Sequence, residues 1–151
     1  MGKRAARASR RPRAGDGPLA RLILDTTILI DAEREGSSLA VTLDDNDDVA
    51  VAAITVAELR VGVQMAKGER RKKRARFVTA VLDAVAIEPY DLQVAEAHAA
   101  LLAHVRRKGT PRGAHDLIIA ATARAKEREV VSSDRRAFGE LPEVSVAGPS
   151  D

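Results

Sequence analysis

The chain has 151 residues, of which 45% are hydrophobic and 31% charged, as expected for one globular domain of ordinary size. It has no cysteine, which excludes a disulfide scaffold, a thiolate zinc site and a cysteine nucleophile, and fits the cytoplasm. No apolar run approaches the roughly 20 residues that span a bilayer, so we expect no membrane contact.

The net charge of +3 comes from the start of the chain. Residues 1–18 carry six Lys/Arg and one Asp, a charge of +5, and the rest carries nineteen Lys/Arg and twenty-one Asp/Glu, a charge of −2. We expect residues 1–18 to form a disordered basic arm, 19–147 to fold as one domain, and 148–151 to form a tail. A basic arm can also bind phosphate backbones without sequence preference, and that alternative stays open.

Short apolar runs alternate with helical patterns along the domain. In chain order they predict a strand at 22–24, helices at 26–34 and 37–43, a strand at 49–54, helices at 55–63 and 69–85, a strand at 85–87, a helix at 91–108, a helix from 115 or 116 to 128, and strands at 130–131 and 144–146. This order predicts an α/β fold, a three-layer α/β/α sandwich with a central, mostly parallel sheet of about five strands.

Four carboxylates stand where a strand turns into a helix or where a helix begins. They are Asp25 in LILDTTILID, Glu58 in ITVAELRVG, Asp116 in AHDLIIAATA and Asp134 in VVSSDRRAF. Parallel strands would bring the first, second and fourth to one edge of the sheet, where such folds bind ligands, and Asp116 can reach the same rim. Gathering ionised carboxylates is costly, so the set indicates a hard divalent cation, Mg²⁺ or Mn²⁺.

Each carboxylate also has a purely structural interpretation. Asp25 can cap the following helix, and Thr55 with Glu58 fits a capping box. Asp116 and Asp134 can favour the positive end of a helix dipole. Capping does not require a common edge of the sheet, whereas a metal site does, so only the complete set favours the metal site.

Other polar residues near these motifs are candidates for supporting roles. Thr26 and Ser132 offer hydroxyls beside the first and last carboxylates. Arg112, in the loop before Asp116, is a candidate for binding substrate phosphate. His115 is expected to point away from Asp116, because adjacent residues on a helix do not face each other.

The basic run at residues 69–76, ERRKKRAR, lies at the start of a predicted helix. It is either a solvated helix face or a track for an RNA backbone. With two Phe, one Tyr and no Trp, the chain lacks the aromatic residues on which nucleic-acid modules stack bases. A contact with nucleic acid would therefore depend on phosphate, arginine and metal.

The four motifs together resemble the PIN-domain family, in particular the VapC-type toxins of bacterial toxin–antitoxin pairs. The resemblance covers roughly residues 21–146, and order, spacing and flanking residues all agree. It implies that Asp25, Glu58, Asp116 and Asp134 are the catalytic and metal-binding residues. Ser132 takes the place of the hydroxyl residue in the family's last motif.

The resemblance also implies an activity and its partners. The activity is Mg²⁺- or Mn²⁺-dependent endoribonucleolytic cleavage of tRNA, ribosomal RNA or messenger RNA, which inhibits translation or growth. The partners are a second copy of the chain, as a homodimer, and a small VapB-like antitoxin. Two alternatives remain at this stage: an RNA-processing nuclease without an antitoxin, and a PIN module that binds RNA or protein without cleaving.

Overall fold

The computed structural model of the chain describes residues 20–36 and 44–147. The basic arm at 1–18, the helix expected at 37–43 and the tail at 148–151 lie outside these ranges. The described elements are β1 (Arg21–Leu24), α1 (Thr26–Glu35), β2 (Asp48–Ala52), α2 (Ala53–Met65), α3 (Gly68–Ala84), β3 (Ala86–Glu88), α4 (Leu92–Lys108), α5 (Ala114–Lys126), β4 (Glu129–Val131) and a 3₁₀ turn (Arg135–Ala137). None of the described helices is both long and apolar enough to cross a membrane.

The four strands form one parallel sheet in the order β3-β2-β1-β4. The expected fifth strand at 144–146 is reduced to a single parallel bridge between Val130 and Val146. Two backbone hydrogen bonds hold it, from Val130 N to Ser145 O and from Ala147 N to Val130 O, both 2.8 Å long. The predicted mostly parallel sheet is confirmed, with one strand fewer.

Helices cover both faces of the sheet because successive strand residues point to opposite sides. Ile23 of β1 packs into the core beneath α4 and α5, together with the fully buried Phe138. Leu24, the next residue, packs into a second core beneath α1, α2 and α3. The three-layer α/β/α sandwich predicted from the alternating pattern is confirmed.

Helix α2 begins two residues earlier than the sequence predicts. Ala53 and Ile54 are helical, although their apolar run was assigned to the preceding strand. A short apolar run has no periodicity that separates a buried strand from a buried helix start. The N-cap is Ala52, which makes no side-chain capping bond, so Glu58 lies in the second turn of the helix. The capping-box interpretation of Glu58 is therefore wrong.

A buried arginine joins the strands at the start of β4. The Arg128 side chain is 5% exposed, and its Nε donates to Glu88 Oε2 at 2.8 Å. Its Nη1 lies 3.2 Å from Leu22 O, 2.9 Å from Asp48 O and 3.0 Å from Asp48 Oδ1. Sequence patterns treat this residue only as the end of a helix, because nothing local indicates partners that lie 40 to 106 positions away.

Candidate active site

Asp25 lies directly after the central strand and is almost fully buried, at 3% exposure. Its Oδ1 accepts a hydrogen bond from Thr26 N at 2.7 Å, so Asp25 does cap α1. Its Oδ2 accepts bonds from Thr27 Oγ1 at 2.8 Å and from Ser132 Oγ at 2.7 Å. Bonds to an ionised acceptor are among the stronger ones, so three donors fix this carboxylate in one orientation.

Glu58 extends from α2 towards the start of two other helices. Its Oε1 accepts a hydrogen bond from Thr26 Oγ1 at 2.6 Å. Its Oε2 lies 2.9 Å from His115 Nδ1, on α5. The Glu58 side chain is 28% exposed and that of His115 52% exposed, so the pair faces solvent at the rim of the sheet. Sequence reasoning missed this contact, because it placed His115 only relative to its neighbour Asp116.

Asp116 occupies the first turn of α5, whose N-cap is Gly113. Burial is the largest cause that raises the pKa of the Asp116 carboxyl above its ordinary value of 3.8. The next causes are the negative charges of three carboxylates, Asp25, Asp134 and Glu58. The structure therefore brings Asp25, Glu58 and Asp134 within electrostatic reach of Asp116 at the carboxyl edge of the sheet.

Asp134 follows β4 and precedes the 3₁₀ turn, without capping it through its side chain. Ser132 connects it to Asp25, because Ser132 Oγ accepts from Asp134 N at 2.9 Å and donates to Asp25 Oδ2. A second serine, Ser133, donates its hydroxyl to Asp31 Oδ2. The Ser132 hydroxyl, just after β4, thus fixes both the Asp25 carboxylate and the Asp134 backbone.

The chemistry of these donors fits a hard divalent cation, because carboxylate and hydroxyl oxygens are what Mg²⁺ and Mn²⁺ prefer. Within the described ranges, no three carboxylate or imidazole side chains close into a group that could hold a metal ion. Coulombic effects on a pKa extend well beyond the roughly 2 Å of a Mg²⁺–oxygen bond. The four carboxylates share a rim, and Glu58 is turned towards Thr26 and His115.

Arg112 makes structural contacts. Its Nη1 donates to Ala137 O and its Nη2 to Gly139 O, both at 3.1 Å. These bonds hold the loop before α5 against the end of the 3₁₀ turn and the residues that follow it. Substrate binding by Arg112 stays a prediction, and the two backbone bonds are a sufficient reason for an arginine at this position.

A cavity of about 520 Å³ adjoins the acidic rim between α1, α2 and α3. Its apolar lining consists of Ile30, Leu59, Val61, Phe77 and Val78. Thr26, Glu58 and His115 line it as well, so the cavity and the carboxylate site share residues.

The PIN domain family matches residues 22–144 of the chain, a range that contains all four carboxylates. The chain belongs to the PIN-domain family. A ribonuclease VapC from Rickettsia bellii is 27% identical over 126 residues, which are 83% of this chain and 93% of the relative. A VapC ribonuclease from Sinorhizobium fredii is 34% identical over 125 residues, which are 78% of this chain and 89% of the relative.

A solved structure agrees with this assignment. A member of the VapBC family of toxin–antitoxin systems from Mycobacterium tuberculosis superposes on this PIN domain with a TM-score of 0.69 and 30% identity. The match covers 84% of this chain and 97% of that one. The family resemblance predicted from the four motifs is confirmed.

Proposed function

We propose that this PIN domain is a metal-dependent endoribonuclease and the toxin of a toxin–antitoxin pair, acting on cytoplasmic RNA to inhibit translation or growth. The observation that carries the proposal is the placement of the four carboxylates at one rim: Asp25 caps the helix after β1, Glu58 bonds the adjacent Thr26, Ser132 links Asp25 to Asp134, and the charges of all three raise the pKa of the half-buried Asp116. The relatives named VapC ribonuclease and the VapBC structure support the same conclusion.

The four carboxylates, Asp25, Glu58, Asp116 and Asp134, would hold Mg²⁺ or Mn²⁺. Bound there, the cation would lower the pKa of a water and neutralise charge at the phosphorus. Asp25 presents fixed oxygens, because three donors orient it. The Asp116 carboxylate makes no hydrogen bond to another described residue, so it can adjust its position without breaking a contact.

The antitoxin is part of the proposal, and the cavity between α1, α2 and α3 is where we place it. The cavity is large enough for several side chains and offers an apolar floor to an amphipathic segment. Glu58, which lines the same cavity, would attract a cationic side chain of that segment. A partner bound there would also cover the acidic rim, which explains how binding could block RNA.

Asp25→Asn tests the proposal. Asparagine caps helices as well as aspartate, so we expect α1 and the thermal melt to be preserved. RNA cleavage in Mn²⁺ and growth inhibition on induction should both be lost. The matched control is Asp83→Asn, an exposed aspartate near the end of α3 that belongs to none of the four carboxylate motifs.

Two outcomes would contradict the proposal. One is cleavage by Asp25→Asn at the wild-type rate, and the other is wild-type cleavage that persists after chelation by EDTA. The proposal predicts a small antitoxin reading frame next to the gene, and co-expression with it should restore growth and yield a stable complex. The homodimer is a further part of the proposal, and light scattering of the purified chain measures it.

A further inference from the structure

Helix α3 carries a row of cations that intramolecular contacts do not explain. Arg70, Lys73 and Arg76 are exposed and spaced three residues apart, and we call them the α3 ridge. None of the three has a hydrogen bond or ion pair with a described residue. Their neighbours are engaged: Arg71 bonds Gln64, and Arg74 pairs with Glu33.

The three cations of the α3 ridge repel one another along the helix, and only Lys73 has an acidic residue, Glu69, at the favourable i,i+4 spacing. Residues three or four apart on a helix are neighbours, and like charges at that spacing are destabilising. Arg70 also lies in the first turn after Gly68, next to the positive end of the helix dipole, where a cation is unfavourable. Such a local conflict indicates that the charges serve an interaction outside the helix.

A second basic run in the chain shows the opposite arrangement. Arg106, Arg107 and Lys108 occupy the last turn of α4, where cations favour the negative end of the dipole. Helix stability is therefore a sufficient explanation for these three residues. They form a control set with the same charge and the same number of cations as the α3 ridge.

Two residues of the α3 ridge lie one helical turn from the cavity that adjoins the candidate active site, and Arg76 continues the row along the helix. Arg70 and Lys73 each precede by one turn a residue that lines the cavity, Arg74 and Phe77 respectively. Glu58 and His115 line the same cavity. An acidic rim repels RNA phosphates, so cations on the flanking helix are where a substrate backbone can be held.

The exposed face of α3 itself, as distinct from the adjoining cavity, favours a phosphate backbone over a protein partner. Protein interfaces are anchored by buried aromatic and apolar side chains. The large exposed hydrophobic residues of the described chain are Ile30, Val61, Met65, Ile87, Tyr90 and Leu92, and none belongs to α3. Long cations in a row contact successive phosphates without reading bases.

We propose that Arg70, Lys73 and Arg76 bind the phosphate backbone of the RNA substrate next to the active site. The proposal rests on the proposed ribonuclease function and names the surface that holds its substrate. The test is the triple variant Arg70→Gln, Lys73→Gln, Arg76→Gln, compared with Arg106→Gln, Arg107→Gln, Lys108→Gln. Glutamine is a good helix former, so both variants should fold.

Binding of a labelled single-stranded RNA is measured over a series of salt concentrations, in the Asp25→Asn background. Loss of three phosphate contacts should weaken binding roughly tenfold and reduce the slope of log K against log salt by about 2. In the active background, KM should rise by a similar factor while kcat stays unchanged. The α4 variant should keep wild-type values of KM and slope.

An equal loss of RNA affinity in the α3 and α4 triple variants would overturn the proposal, because the net charge of the protein and not the position of the ridge would then determine binding. An unchanged slope of log K against log salt in the ridge variant would also overturn the proposal. If the wild-type protein still cleaves RNA in that case, the proposed ribonuclease function is unaffected. If the ridge variant still binds RNA but no longer binds the antitoxin, the proposal is wrong and the α3 ridge is a protein-binding surface. Wild-type protein that neither binds nor cuts RNA would overturn both proposals.

Discussion

His115 Nδ1 lies 2.9 Å from Glu58 Oε2, and this contact joins two helices whose residues are 57 positions apart in the chain. The other carboxylate oxygen of Glu58 accepts a hydrogen bond from Thr26 Oγ1 at 2.6 Å. Glu58 is therefore held at both oxygens. His115, which sequence spacing assigns to the side away from the site, orients one of the four acidic residues.

His115→Ala should weaken Mn²⁺ binding by about tenfold, because partners that orient metal ligands typically contribute that much to affinity. His115→Asn should retain most of the affinity, since its amide can donate from a similar position. Electron paramagnetic resonance of free Mn²⁺ measures both. His98→Ala is the control, because His98 Nδ1 pairs with Tyr90 Oη at 2.8 Å, outside the site. Equal Mn²⁺ affinities for the wild type and His115→Ala would show that His115 does not orient Glu58 as a metal ligand.

Asp116→Asn should make the metal-free protein more stable at neutral pH. The folded pKa of Asp116 lies above its unfolded value, so between the two the folded state binds more protons. The unfolding free energy of the wild type therefore falls as pH rises from the unfolded pKa to the folded pKa of Asp116. The whole of this loss remains at higher pH. Because the side chain is only half-buried, solvent screens this repulsion, and we expect the variant to gain no more than about 1 kcal/mol.

Urea unfolding in EDTA across the pH range measures this gain in stability. The gain should vanish below about pH 4, where Asp116 becomes protonated in both the folded and the unfolded state. Excess Mn²⁺ should reverse the order, since a bound ligand stabilises only the folded state that binds it. A variant that is less stable than wild type in EDTA at pH 7 would show that Asp116 is not repelled by its neighbours.

Gly113→Ala should lower cleavage several-fold while leaving the fold intact. A Cβ at this position would lie 3.0 Å from Asp116 Oδ2, tighter than most real contacts, so the carboxylate would have to shift by a few tenths of an ångström. The end of a flexible side chain can move, so the cost falls on the position of Asp116 and on activity. The control is Gly62→Ala, where the nearest atom would be 3.8 Å away. Steady-state cleavage and thermal melts of both variants check this, and equal kcat values would contradict it.

Arg128→Ala should cost about 3 to 5 kcal/mol of unfolding free energy, because it leaves the largely buried Glu88 carboxylate and the carbonyl oxygens of Leu22 and Asp48 without their donor. Arg21 provides an internal comparison, since it pairs with the same Asp48 at 2.6 Å but is 44% exposed. Arg21→Ala should cost no more than about 1 kcal/mol. Urea unfolding distinguishes them, and similar losses for the two would show that burial is not what matters.

Local patterns were sufficient to predict the fold. The apolar runs around Ile23 and Val130 predicted the parallel strands, and the pattern at 69–85 predicted the helix that buries Val78 and Val81. The helix start after β1 predicted the cap at Asp25. Each depends on residues a few positions apart, so a periodicity in the chain is enough to predict them.

The tertiary structure decided which side chains meet. The boundary at Ala53 could not be predicted, because a buried strand and a buried helix start have the same apolar composition. Packing of α2 against α5 selects the contact of Glu58 with His115, and strand register selects the partners of Arg128. The sequence by itself determined the elements and placed four carboxylates at their ends. Only the tertiary structure decided their partners, because hydrogen bonds depend on distances that a one-dimensional pattern does not contain.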